Sequence, residues 1–256
     1  LVDGEDEPLT SDIFVRDLQT GLTTAVSVDV DGAAPDGPSF SPAISVAGTR
    51  VTFWSSASDL VPGDANGFDD IFVRDLAAGT TERVSVSTTG GDSDQMSRDP
   101  DISADGTHVA FSSRANNLVA GDNNGFVVDI FVRDLAAGTT VRASVDAQGG
   151  DPADNSEGPT LSADGNLVAF FSRARDLLPE RQGDFVQDIF VRDIAAGTTQ
   201  LLTRDVQGGA PDANSSWPVI TSTGKVVAFE SFADDLAKRD SNSASDAFVV
   251  RRPTAP

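Results

Sequence analysis

Asp70-Ile71-Phe72-Val73-Arg74-Asp75-Leu76 is the stretch on which the fold turns, because the chain keeps returning to it. The same seven residues stand at 12–18 and 129–135, with one change (Ile194 for Leu) at 188–194 and a looser copy, Asp-Ala-Phe-Val-Val-Arg-Arg, at 246–252. The copies start 58, 59, 59 and 58 residues apart. Such a period marks a structural repeat whose units bury apolar surface against one another. Working outward, Leu60-Val61, Leu118-Val119 and Leu177-Leu178 keep the period, with Leu1-Val2 and Leu236 as its outer copies. So do the small-residue turns at Ala47-Gly48, Ala104-Asp105-Gly106, Ala163-Asp164-Gly165 and Ser222-Thr223-Gly224.

Turn residues cut each repeat into four short segments rich in Val, Ile, Phe and Thr, the composition of strands. In the second repeat these are strand A near 43–45, B at 50–55, C at 70–76 and D at 82–86. No segment keeps a 3.6-residue apolar period over ten or more residues, so the chain is expected to be all-β. Four antiparallel strands at constant period describe a β-propeller blade. An immunoglobulin-like array needs roughly 100 residues per unit and a β-helix needs shorter coils. The expected architecture is one domain over 1–256, with repeats at 1–59, 60–117, 118–176, 177–235 and a partial 236–256. The strand order is C-D, three complete A-B-C-D sets, then A-B-C. Five blades are expected. One alternative is four, with the last A-B pair joining the first C-D pair; another is part of a larger ring.

The repeats resemble the TolB-like, WD-repeat-like propeller family. The resemblance is carried by Ser103-Ala104-Asp105-Gly106 before Val109-Ala110-Phe111-Ser112, by Ser162-Ala163-Asp164-Gly165 before Val168-Ala169-Phe170, and by the recurring heptapeptide. Val46-Ala47-Gly48 and Ser222-Thr223-Gly224 depart from it by lacking the turn Asp. The resemblance implies a propeller fold and an extracytoplasmic location. It implies little about activity, because one scaffold hosts many.

Charge narrows the partners. Of 256 residues, 34 are Asp and 6 Glu against 16 Arg and 2 Lys, a net charge of −22. Asp favours turns and hard-cation sites, whereas Glu favours helices. A surface this negative disfavours nucleic acid. The 39% hydrophobic share supports a core, and no apolar run reaches the roughly 20 residues of a membrane span. With no Cys there is no disulfide or zinc–thiolate site.

Strand alternation places the tight A–B and C–D turns on one end of each blade and the long, Asp-rich B–C and D–A loops on the other. Loops of this length are often functional. The B–C loops hold Asp64, Asn66, Asp69 and Asp70, then Asp122, Asn124 and Asp129. Alternating oxygens around a Gly partly mimic calcium loops, although the bidentate Glu and the flanking helices of an EF-hand are missing. One reading is a calcium or similar divalent site in at least one of these loops, second to the reading that follows. The competing reading is turn capping by Asp and Asn, with Leu60 and Phe68 as apolar plugs. Asp3-Gly4-Glu5-Asp6, Asp184, and the set Asp240, Asn242 and Asp246 are looser versions.

Other residues carry weaker signals. Arg16, Arg74, Arg133 and Arg192 recur within strand C and are expected to be struts between blades. His108, the sole histidine, is expected at an exposed, variable position, which leaves no Ser-His-Asp chemistry elsewhere. Asp69-Asp70 and Asp234-Asp235 are adjacent carboxylates that a hydrolase could use. Trp217, expected just before strand A, with Asp154 and Asp212, marks a candidate ligand face. The favoured function is a non-catalytic extracytoplasmic scaffold binding a protein or glycan on its acidic long-loop face, without nucleic acid or membrane insertion. The alternatives are a carbohydrate-active or other hydrolytic propeller, and an assembly module that self-associates through terminal strands.

Overall fold

The computed structural model of the chain describes residues 11–179, 186–238, 240, 242 and 244–252. Leu1-Val2, Asp3-Gly4-Glu5-Asp6 and Asp184 lie outside the described residues. Those described form seventeen strands in five antiparallel sheets taken in chain order. The first sheet pairs β1 (Phe14–Arg16) with β2 (Thr23–Ala25). The second holds β3 (Ser39–Ile44), β4 (Arg50–Ser55), β5 (Asp70–Asp75) and β6 (Thr80–Arg83). The third holds β7 (Ser97–Ile102), β8 (His108–Ser113), β9 (Asp129–Asp134) and β10 (Thr139–Arg142). The fourth holds β11 (Ser156–Leu161), β12 (Leu167–Ser172), β13 (Asp188–Asp193) and β14 (Thr198–Leu201). The fifth holds β15 (Ser215–Ile220), β16 (Val226–Ser231) and β17 (Asp246–Arg251). No helix among these residues is long and apolar enough to cross a membrane.

The order C-D, three A-B-C-D sets and A-B-C is the one the repeats imply. Four-blade closure is not formed: β16 pairs with its own C strand, β17, while β1 and β2 stay a separate sheet. The arrangement is thus open, with five sheets. Strand A is longer than expected, and D begins two residues early. In β3 the pairs Ser39↔Ser55 and Phe40↔Trp54 precede a register shift before Ala43↔Thr52. Pro42 falls inside that bulge, where a missing N–H does no harm, and so hides the strand from sequence reading.

The heptapeptide is apolar on both sides because both faces of a C strand are covered. In β5, Phe72 joins Val51 and Phe53 against Ile13 and Val26 of the sheet before. Its neighbours Ile71 and Val73 pack with Ile102, Val109, Phe111 and Phe131 of the sheet after. The same division gives two more cores, around Phe170 with Phe190 and around Phe229. Each core therefore belongs to two adjacent blades. Stacked Phe pairs bridge B and C in register: Phe53–Phe72, Phe111–Phe131, Phe170–Phe190 and Phe229–Phe248, with centroids 5.8–5.9 Å apart.

The opening Asp of the heptapeptide has a structural task. The Ser85 hydroxyl donates to Asp70 Oδ1 at 2.5 Å and accepts the Ile71 N–H at 2.9 Å. Ser27, Ser144 and Thr203 do the same for Asp12, Asp129 and Asp188. The closing Asp caps the C–D turn: Asp75 Oδ1 accepts the N–H groups of Ala77 and Ala78, which lowers its pKa.

The strand-C arginines act within a blade rather than between blades. Arg16, Arg74, Arg133 and Arg192 each donate to the Thr opposite on strand D (Thr23, Thr81, Thr140 and Thr199) at 2.7–3.2 Å. His108 is half-buried rather than exposed, with Nδ1 2.8 Å from Thr107 Oγ1 and Nε2 3.8 Å from Asp134.

Candidate functional site: the long-loop face

The B–C and D–A loops are laced together at one end of the sheets. Each D–A loop leans on the B–C loop of the blade that follows. Asp36 accepts the Ser58 N–H and hydroxyl, Asp94 the Asn116 N–H, and Asp212 the Asp234 N–H. In the blade between, the direction reverses and Asp176 accepts the Ala153 N–H. Asp212 is therefore a latch as well as a candidate ligand residue. Asp154 binds the N–H of its neighbour Asn155. Leu60, Leu118 and Leu177 are buried beneath the loops, and Phe68 is half-buried.

The residues expected to hold calcium do converge, and their focus is a guanidinium. Arg83 Nη1 lies 3.0 Å from Asp64 Oδ1 and 3.6 Å from Asp70 Oδ2, while Nη2 donates to Asp92 Oδ1 at 2.6 Å. Asn66 Nδ2 donates to Asp70 Oδ2 at 2.9 Å. One blade on, Arg142 meets Asp122 at 3.1 Å, Asp129 at 3.5 Å and Asp151 at 2.7 Å, with Asn124 donating to Asp129 at 2.7 Å. In each cluster the arginine and the two B–C-loop carboxylates are almost wholly buried. Burial, reinforced by Asp70, pushes Asp64 up to about 6, and burial likewise pushes Asp129 up to about 6. Burial works against the charge on Arg142, but its three carboxylates hold the pKa above the usual arginine value. Among the described residues no group of three or more His, Cys, Asp or Glu side chains is arranged to hold a metal.

The arginine and the D–A-loop Asp come and go together, while the Asp that opens strand C stays. In the first and fourth sheets the arginine position holds Ala25 and Leu201, and the position of Asp92 and Asp151 holds Ala34 and Ala210.

Asp69 turns away from its cluster. Arg98 Nε donates to Asp69 Oδ2 at 2.7 Å, and the same guanidinium lies 4.8 Å from the Trp54 ring. Trp54 tilts against Phe40 at 4.6 Å. Asp69 and Asp70 thus have separate partners, and neither stands as a free acid–base pair. Trp217 lies inside β15 rather than before it, 63% exposed and edge-on to Phe171 at 5.7 Å.

These aromatic and charged groups share a position that sequence reading missed: the bulge of strand A and the end of strand B. Ser41, Asp99 and Trp217 have φ of 50–53°, and Gly158 has 62°. Each stands before Pro42, Pro100, Pro218 or Pro159. Around them the frame is constant. The Ser pairs 39–55, 97–113, 156–172 and 215–231 are joined through Oγ at 2.9–3.0 Å. Within this frame three positions differ in every copy. Residues 40, 98, 157 and 216 are Phe, Arg, Glu and Ser; 41, 99, 158 and 217 are Ser, Asp, Gly and Trp; 54, 112, 171 and 230 are Trp, Ser, Phe and Glu. The internal repeats supply the signal, once the frame is aligned.

No protein-family model and no curated relative matches the chain. Among solved structures it is similar to TolB from Acinetobacter baumannii, at 20% identity over 88% of this chain and 46% of that one, with a TM-score of 0.47. It is also similar to an oligogalacturonate lyase in complex with manganese, at 13% identity over 91% of this chain and 58% of that one, with a TM-score of 0.52. The chain thus spans about half the length of these two proteins. At such identities the likeness is one of fold alone, and that fold is a β-propeller of four-stranded antiparallel sheets.

Proposed function

We propose that the chain is a non-catalytic, extracytoplasmic binding module whose protein or glycan partner docks on the long-loop face, at the inner ends of the A and B strands. The observation that carries this reading is the contrast within the repeats. Hydroxyl pairs, bulge prolines and stacked Phe pairs are kept, while three positions per blade on one face are each different. A scaffold that holds its frame and varies one surface is built for recognition. Calcium is the finer part of the proposal, as a stiffener of loops that carry three carboxylates per guanidinium. A rise in Tm in millimolar Ca²⁺ that chelator reverses supports it, and an unchanged Tm removes calcium from the reading.

The docking reading is tested by panning a displayed peptide library and a glycan array on the protein, then on Arg98→Ala and Trp217→Gly variants of unchanged Tm. Glycine suits the left-handed backbone at 217. Ligands that are basic or aromatic and are lost on these variants are expected. Retention that no substitution on this face alters would overturn the proposal.

A further inference from the structure

One slot on this face lacks the ring that two of its three counterparts hold, and on the docking reading above it defines a ligand. Position 54 of strand B and its repeats point toward the next blade. Trp54 packs on Phe40 of its own A strand and carries Arg98 of the next blade. Phe171 meets Trp217 of the next blade. Between those two interfaces the residue is Ser112, and there a cavity of about 170 Å³ opens, walled by Arg98, Asp99, Arg114, Val128 and Glu157. The Ser112 hydroxyl is buried on this wall and finds no hydrogen-bond partner.

The repeat tells what a ring here would touch. The counterpart of Phe40 is Arg98, and the counterpart of Arg98 one blade on is Glu157. A ring over Ser112 therefore has a guanidinium for a floor and a carboxylate from the next blade at its edge. Arg98 is held in place by Asp69 and Trp54, so little ordering remains to be done on binding. A guanidinium favours an aromatic face, and a carboxylate favours an O–H donor. We propose that this slot takes a tyrosine side chain of a partner protein, its ring on Arg98 and its phenol O–H donating to Glu157. None of the 256 residues is tyrosine, so none of them fills the slot.

The test uses the whole chain and N-acetyltyrosinamide, with N-acetylphenylalaninamide and N-acetylleucinamide as comparisons, read by ligand-observed NMR. Saturable binding of the tyrosine probe is expected, about fivefold or more above phenylalanine and further above leucine. Ser112→Phe installs the ring that Phe171 supplies one blade on; because Asp99 stands here where Gly158 faces Phe171, it is expected to lower Tm while leaving the protein folded, and to weaken binding by about tenfold or more. Glu157→Gln alters only the rim and is expected to narrow the tyrosine–phenylalanine difference. No binding to the unmodified protein, or equal binding to Ser112→Phe, overturns the slot. If the tyrosine probe does not bind while displayed peptides without tyrosine are retained on the parent and on Ser112→Phe, the slot fails and the docking face stands. If neither peptides nor glycans are retained on the face at all, the docking reading itself fails, and the tyrosine probe still judges the slot.

Discussion

Arg83 holds three carboxylates together with one side chain. Its three carboxylates would repel one another without it, so removing the charge alone is costly. Arg83→Leu is expected to destabilise by about 3–5 kcal/mol, the range for stranding one side of a buried ion pair. Adding Asp92→Ala gives the residue combination that the fourth sheet has at these positions (Leu201 and Ala210), removes one of the stranded carboxylates and should return part of the loss. Urea unfolding of the two variants checks this, and a double variant no better than the single one would refute the paired unit. At Asp129 the relay through Ser144 is open to a smaller test. Ser144→Ala leaves the Ile130 N–H and the carboxylate short of a partner, an expected loss of about 1–3 kcal/mol by the same measurement.

At the scale of the element, the strand A bulge carries both the recognition positions and the chief misreading of the sequence. Strands B and C were legible because Val, Ile and Phe run unbroken through them. Strand A was legible only from 43 on, because Pro42 breaks the strand pattern, and the strand in fact runs back to Ser39 through a left-handed residue at 41. The convergence of the B–C loop carboxylates was legible too. Their arginine was not, because Arg83 and Arg142 lie about twenty residues further along the chain and meet the loops only when strand D folds back. At Gly158 the bulge leaves no room for a side chain: φ is 62°, and an added Cβ would stand 2.6 Å from Phe171 Cε1. Gly158→Ala should cost about 1–3 kcal/mol through strain and displacement of that ring. A thermal melt showing no loss would mean that the bulge tolerates an ordinary residue.

For the whole molecule, acid should stabilise before it destabilises. Burial pushes the pKa values of Asp64 and Asp129 in the fold up to about 6, above the ordinary carboxylate range, so the fold takes up protons that the unfolded chain does not. Stability then rises as pH falls through about 6. Below about 4 the turn-capping carboxylates, such as Asp75 and Asp134, whose pKa values are lowered, begin to lose their stabilising charge. Thermal melts across this range should show the highest Tm between about pH 4 and 6. A Tm that falls steadily from neutral pH would contradict the assignment.

Because every core is shared by two neighbouring sheets, no blade owns the surface that stabilises it. Cooperativity in such an array passes only from neighbour to neighbour, like a row of coupled spins. Protection against amide exchange should therefore follow position along the row rather than local sequence. Near-identical heptapeptides would exchange at different rates, slowest in β9, which has two sheets on one side of its own and two on the other.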